Sequence, residues 1–205
     1  MSIIDQFAKI EATAVSDAMQ GMNNLDSAIK PLKSEYKVVG RAFTVKMPAG
    51  DNLVFLKALR EAKAGDVVVI DAKGDTYRAF AGDFMVEMAQ TLGIKALVGD
   101  GVVRDVEDIK ALNFPVFCRG TTLAASGKEG MGEINVPISC GGVTVHPGDL
   151  IVADADGVVV VPQTIEQEVL KKALEKIESD DQRSKKVLAS REEIINYLDS
   201  MVQGK

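Results

Sequence analysis

At 205 residues, with 46% apolar and 26% charged residues, the chain can bury a sizeable core and carry a helical extension. A formal net charge of −6, without any Lys/Arg-rich block, argues against a nucleic-acid surface. No apolar run nears the roughly 18 residues of a membrane span, and Asp5 precedes any basic residue, unlike a signal peptide. In chain order, Ile3, Ile4, Phe7 and Ile10 form one helical stripe, and Thr13 could cap a second helix carrying Val15, Ala18 and Met19. Gly21 to Pro31 is turn-rich. Val38 to Lys46 reads as a strand, and Asp51 or Asn52 could cap a helix through Ala62. Gly65-Asp66 turns into the β-branched run Val67–Ile70, which Asp71 to Gly74 should end.

Asp83 opens a helix with Phe84, Met85, Met88, Ala89 and Leu92 at helical spacing, closed by Gly93. Ile94 to Val98 then reads as a buried strand followed by a polar turn, with a helix near Val106–Leu112 and a strand at Pro115–Cys118. From Gly130 the chain changes to short β runs at Ile134–Ile138, Val143–Val145, Leu150–Ala153 and Val158–Val161, with a hairpin signal at Asp156-Gly157. Residues 163–202 read as helical, with Ile165, Val169, Ala173 and Ile177 on one face, and Ser179-Asp180-Asp181 could break the run and cap a second helix. The pattern predicts one α/β domain over residues 1–162, its strands in a compact layered β/β/α unit with N-terminal helices. A C-terminal helical extension over 163–205 belongs to the same domain.

A helix of about ten residues and a strand of about five span nearly the same length. If the helix from Asp83 and the strand after Gly93 pack antiparallel, Asp83 meets Arg104 and Asp105 on one rim, across twenty intervening residues. Rims outside the carboxyl ends of parallel strands bind ligands in α/β proteins. A loop carboxylate there suits Mg²⁺ or Mn²⁺, an arginine fork suits a substrate carboxylate, and free helix N–H groups at Phe84 and Met85 favour an anion. Together they suit a small 2-oxo acid. The plainer reading is a helix cap at Asp83 and a surface pair at Arg104-Asp105.

Asp71, Asp100, Asp154 and Asp156 read as turn stabilisers at strand ends, and His146 as a turn residue before Pro147-Gly148. A single histidine disfavours a Ser-His-Asp triad or a multi-histidine zinc site. Lys73 and Lys95 read as solvated rather than Schiff-base lysines. Gly99-Asp100-Gly101 begins like a dinucleotide loop, but Arg104 occupies the third glycine position. Cys118 and Cys140 lack metal-ligand spacing; a disulfide between them is open, but reduced thiols of a cytoplasmic protein fit better.

Gly82-Asp83, Asp100-Gly101-Val102-Val103-Arg104-Asp105, Thr13 to Ala18, Gly120-Thr121-Thr122 and Val143 to Pro162 together resemble one family. It comprises the 4-hydroxy-4-methyl-2-oxoglutarate/4-carboxy-4-hydroxy-2-oxoadipate (HMG/CHA) aldolases and the regulators of ribonuclease activity A. The resemblance covers most of residues 10–165 and implies the swivelling-domain, RraA-like version of the β/β/α fold. It also implies a divalent-metal (class II) pyruvate aldolase that commonly decarboxylates oxaloacetate. By the same resemblance Asp105 would ligate Mg²⁺ or Mn²⁺ directly, and Asp83 would hold it through water. Arg104 would bind the keto acid and help stabilise the enolate, beside the amides of Phe84 and Met85 next to Gly82. Trimers or paired trimers (hexamers) are implied, with Asp180 of a neighbouring subunit as the match for a further water-holding acid, normally glutamate. The other branch, a non-catalytic regulator docking on a ribonuclease, tends to lose the aspartate that stands here as Asp83. An older family label, menaquinone methyltransferase, finds no glycine-rich adenosylmethionine loop to support it.

Overall fold

The run Val67–Ile70 is wholly buried, as a strand covered on both faces must be. In a computed structural model, which describes residues 2–203, this run lies at the centre of a mixed sheet. Helices α1 (Ile3–Phe7) and α2 (Ala12–Ala18) lead to the short strand β1 (Lys30–Pro31) and to β2 (Val38–Lys46). Helix α3 (Leu53–Glu61), strand β3 (Asp66–Ala81), helix α4 (Asp83–Thr91), strand β4 (Ala96–Val103) and helix α5 (Val106–Ala111) follow. Short strands β5 (Val116–Cys118), β6 (Gly120–Thr121), β7 (Ala124–Ala125), β8 (Glu133–Ile134), β9 (Ile138–Cys140) and β10 (Val143–Val145) come next. Strands β11 (Leu150–Asp154) and β12 (Gly157–Val161), a 3₁₀ turn at Gln163–Ile165, and helices α6 (Glu166–Val187) and α7 (Arg191–Gln203) complete the described chain.

The main path of the sheet is β1-β5-β4-β3-β2-β11-β12. Strands β2, β3, β4 and β5 pair in parallel, and β11 joins β2 antiparallel. Helices α3, α4 and α5 pack their apolar sides into one core layer with Phe55, Val86 and Ile109. The hairpin β9–β10 closes a second layer through Ile138, Cys140 and Val145. A third layer joins α1, α2 and α6 to β11 and β12 around Phe7, Val15 and Ala173. This is the expected β/β/α layering with helical ends. Among the described residues no helix is long and apolar enough to cross a membrane.

Five local expectations change. Strand β3 does not stop at Asp71–Gly74; Lys73 and Gly74 adopt left-handed φ values of +61° and +67°, and the register with β4 shifts between Ile70 and Asp75. The strand therefore bulges and resumes to Ala81, instead of turning away. The second change concerns β4, which begins at Ala96, later than expected, and runs straight through Gly99-Asp100-Gly101. A Cβ on Gly99 would lie 2.3 Å from the Phe80 ring, and one on Gly101 would lie 2.9 Å from Ala72 Cβ. The glycines let the bulged strand cross its neighbour closely. Third, the run Ile134–Ile138 is split into β8 and β9 by Asn135, at φ +55°. Fourth, Glu11 rather than Thr13 precedes α2.

The fifth change is in the C-terminal region. Helix α6 runs unbroken through Ser179-Asp180-Asp181 because both aspartates have cations one turn away: Lys176 with Asp180 at 2.6 Å, and Lys185 with Asp181 at 2.5 Å. The break falls at Leu188–Ser190, where the Ser190 hydroxyl accepts the Glu193 N–H at 3.1 Å. On the predicted face Val169 and Ala173 are buried, whereas Ile165 and Ile177 remain substantially exposed.

Cys118 and Cys140 are free, buried and in separate core layers. Burial pushes the Cys118 thiol up to about 11. Cys140 is raised further, by burial and then by the charges of Asp100 and Asp71. Both thiols stay protonated and are poor nucleophiles.

Candidate functional site

The long strand and its parallel neighbour end side by side. The Arg104 N–H donates to the Ala81 carbonyl at 3.1 Å, so the last residues of β3 and β4 are tied together at one rim. Gly82 follows directly and serves as the N-cap of α4, with Asp83 in the first turn. The expected meeting of Gly82-Asp83 with Arg104-Asp105 is therefore present in the geometry.

The packing is tight. A Cβ on Gly82 would lie 2.6 Å from Asp105 Oδ2 and 3.3 Å from Arg104 Nε. The Gly82 φ of −121° is one any residue adopts, so glycine is needed here for space rather than for conformation. Asp105 itself sits at φ +59°, a left-handed conformation that aspartate tolerates at some cost. It precedes α5 but makes no side-chain cap to it; its carboxylate instead meets Arg104 Nε at 3.2 Å. Among the described residues the terminal Nη groups of Arg104 make no hydrogen bond, and the Asp83 carboxylate has neither hydrogen bond nor ion pair. Asp83 is thus not a cap, and Arg104 and Asp105 form a partly exposed ion pair at the rim.

Two backbone donors were expected at the helix start. The Met85 N–H already donates to the Gly82 carbonyl at 3.1 Å, whereas the Phe84 N–H has no partner among the described residues. Phe84 leaves most of its ring exposed, and Met85 buries its side chain against Asn52. These residues border a cleft of about 240 Å³ that is lined as well by Gly82, Asp83, Arg104, Asn52, Ser126 and Lys128. A cleft of this size suits a small organic acid, since drug-sized ligands occupy roughly 300–1,000 Å³.

Asn52, Ser126 and Lys128 were not among the expected site residues. Asn52 is buried and donates to the Phe80 carbonyl at 3.0 Å, and Ser126 donates to the Ala79 carbonyl at 2.8 Å. The only sequence signal was Asn52 as a possible helix cap, and it makes no such bond.

Other expected residues are committed elsewhere. Asp180 lies on α6, paired with Lys176 and with Arg183 at 2.8 Å, and does not border the cleft of its own chain. Lys176 first, then Arg183, keep its carboxyl below the ordinary aspartate range. Lys73 pairs with Asp71, and Lys95 donates to the Val39 carbonyl at 3.0 Å. Asp154 receives the Ala12 and Asp156 N–H groups, as a turn stabiliser should. Asp100 departs from that role: inside β4 it pairs with Arg119 and accepts the Gly141 N–H at 3.0 Å, tying β4 to the β9–β10 turn. His146 holds its turn through a backbone N–H to Asp149 at 2.8 Å. Thr13 and Ser16 line a separate cleft beside Asp156.

The RraA-like family, described as Aldolase/RraA, matches residues 12–160. The chain belongs to that family. It is 55% identical over 202 residues to a Halalkalibacterium halodurans protein named "Putative 4-hydroxy-4-methyl-2-oxoglutarate aldolase", covering 98% of this chain and 96% of that one. The RNA-processing inhibitor RraA from Thermus thermophilis superposes with a TM-score of 0.68 at 31% identity, over 74% of this chain and 92% of its own. A structure titled S-adenosylmethionine: 2-dimethylmenaquinone methyltransferase, from Geobacillus kaustophilus, gives 0.69 at 30% identity, over 75% and 95%. The glycines that could suggest a cofactor loop here are the strand residues Gly99 and Gly101, packed against Phe80.

No group of three or more His, Cys, Asp or Glu side chains that could cage a metal occurs among the described residues. A closed zinc site is not built here. Two carboxylates at an open rim, one held against a glycine that leaves no room for a side chain, do fit Mg²⁺ or Mn²⁺. Such ions keep several waters and need only one or two protein carboxylates.

Proposed function

We propose that this chain is a divalent-metal-dependent class II pyruvate aldolase, cleaving 4-hydroxy-2-oxo acids of the HMG/CHA type to pyruvate and a second keto acid. The observation that carries the reading is one rim on which Asp83 and Arg104 line the cleft and Asp105 packs beside it against Gly82 and Arg104, together with a Phe84 amide that has no partner among the described residues. The 55% identical relative supports it by name.

Asp105, directly, and Asp83, through water, would hold Mg²⁺ or Mn²⁺, with Asp180 of a neighbouring subunit as a further water-holding acid in a homotrimer or hexamer. Bound there, the ion would act as a Lewis acid toward the keto oxygen. The chain's own groups do the rest. The Phe84 amide, with Met85 beside it, receives the substrate carboxylate at a helix N-terminus. Arg104 turns its unpaired Nη groups to the keto acid and stabilises the negative charge that grows as the C3–C4 bond breaks. The electron pair of that bond goes to the pyruvate enolate, the 4-hydroxyl proton passes by way of the Asp83 carboxylate to solvent, and a solvent proton added at C3 of the enolate completes pyruvate. Lys128, whose ammonium donates to Asn52 Oδ1 at 3.4 Å, lines the same cleft and offers a second cation for a distal carboxylate. Oxaloacetate loses CO₂ through the same enolate, so decarboxylation is expected as a companion activity.

A second reading, a regulator that binds another protein without catalysis, is favoured by the structural likeness to the Thermus inhibitor. Purified protein supplied with Mg²⁺ separates the two. Pyruvate should appear from oxaloacetate and from 4-hydroxy-4-methyl-2-oxoglutarate, followed through lactate dehydrogenase, and a chelator should stop it. Absence of release from both substrates would favour the regulator.

A further inference from the structure

Lys128 reaches the cleft on a loop that also contains Gly127, Gly130 and Gly132, the last two at φ +93° and +141°. Glycine-rich segments lose much conformational freedom when fixed, so a group must hold this loop if Lys128 is to keep its place. That group is Asp51, 7% exposed. Its carboxylate accepts the N–H groups of Leu53 at 3.0 Å, of Gly130 at 3.4 Å and of Glu129. The backbone adds two bonds beside it: Asn52 N–H to the Gly127 carbonyl at 3.1 Å, and Gly127 N–H to the Gly50 carbonyl at 2.7 Å. Burial works against ionisation of Asp51, yet the Glu129, Leu53 and Gly130 donors and the Lys128 charge hold its carboxyl below the ordinary aspartate range.

One side chain thus joins the start of α3, which carries Asn52, to the loop that carries Lys128. Building on the aldolase reading, we propose that Asp51 is a positioning residue. It fastens the loop so that Lys128 presents its ammonium to the distal carboxylate of a dianionic 2-oxo acid. Asparagine at this position keeps the shape but loses the charge, and its amide N–H₂ would face backbone N–H groups. The loop would then be released while Gly82, Arg104 and Asp105 stay in place.

The test is oxaloacetate decarboxylation by the full chain with Mg²⁺, comparing wild type, Asp51→Asn, Lys128→Ala and the double variant. Asp51→Asn should raise KM about tenfold and leave kcat within about twofold, the pattern of lost ground-state binding. The double variant should be no worse than Lys128→Ala alone, since two residues acting through one contact do not add. Hydrogen exchange at the Glu129 and Gly130 amides should quicken in Asp51→Asn. Should that variant not fold, Gly130→Ala is the substitute: at φ +93°, with its Cβ 2.9 Å from Leu53, it disturbs the loop while keeping the Asp51 side chain itself. Because the Gly130 N–H is itself a donor to Asp51, this variant weakens the same fastening from the loop side and should show the same KM effect and the same non-additivity. Additive losses, an unchanged KM, or unchanged loop exchange would overturn the proposal while leaving the aldolase reading intact. Failure of wild type to release pyruvate would overturn both.

Discussion

Replacing Asp105 with alanine is expected to lower pyruvate release from oxaloacetate and from 4-hydroxy-4-methyl-2-oxoglutarate on the order of 10³-fold, with the fold preserved. Removing a single charge-stabilising group commonly costs 10²–10³, and a carboxylate that holds the metal should lie at the upper end. Asp105 is half exposed at the rim, in a left-handed conformation alanine accepts less readily, so a modest loss of stability accompanies the change. Arg104→Ala should fall in kcat rather than in KM alone, because its unpaired Nη groups act on charge that appears only as the bond breaks. The lactate-dehydrogenase-coupled rate for each variant, beside its circular dichroism spectrum, measures this. Turnover unchanged in either would place the reacting centre elsewhere.

The second large effect comes from one methyl group. Gly82→Ala keeps a backbone conformation alanine adopts freely, yet its Cβ would sit 2.6 Å from Asp105 Oδ2, closer than real Cβ atoms approach an oxygen. The carboxylate must move by several tenths of an ångström or more. Misplacement of about 1 Å can cost on the order of 10²-fold in rate, so kcat/KM should fall by about that factor. The melting temperature should change little, since Asp105 is at the rim and can yield toward solvent. Gly82→Ala with full activity would mean that the Asp105 position is unimportant to the reaction.

The rim was legible in the sequence because equal lengths of helix and strand force the start of one toward the end of the other, and Asp83 and Arg104 flank that unit. Other features depended on partners distant in the chain. Gly99 and Gly101 resemble turn residues until the Phe80 ring is seen against them. The bulge at Lys73-Gly74 looked like an end for the same reason, because only pairing with β4 shows that the strand resumes. The acidic run at Asp180-Asp181 suggested a cap, but Lys176 and Lys185 one turn away satisfy it. Lys128 and Asn52, whose side chains meet at 3.4 Å, were missed because the contacts between their segments are long-range, Glu129 to Asp51 spanning 78 residues of chain, which no local spacing reveals.

The most direct measurement is a crystal structure of the protein grown with Mn²⁺ and oxalate, a stable mimic of the pyruvate enolate. The account predicts an ion about 2.1 Å from the Asp105 carboxylate, as hard divalent ions bind oxygen, with oxalate spanning the ion, Arg104 and the Phe84 amide. Ion and oxalate bound together away from Gly82, with Arg104 turned to solvent, would contradict it.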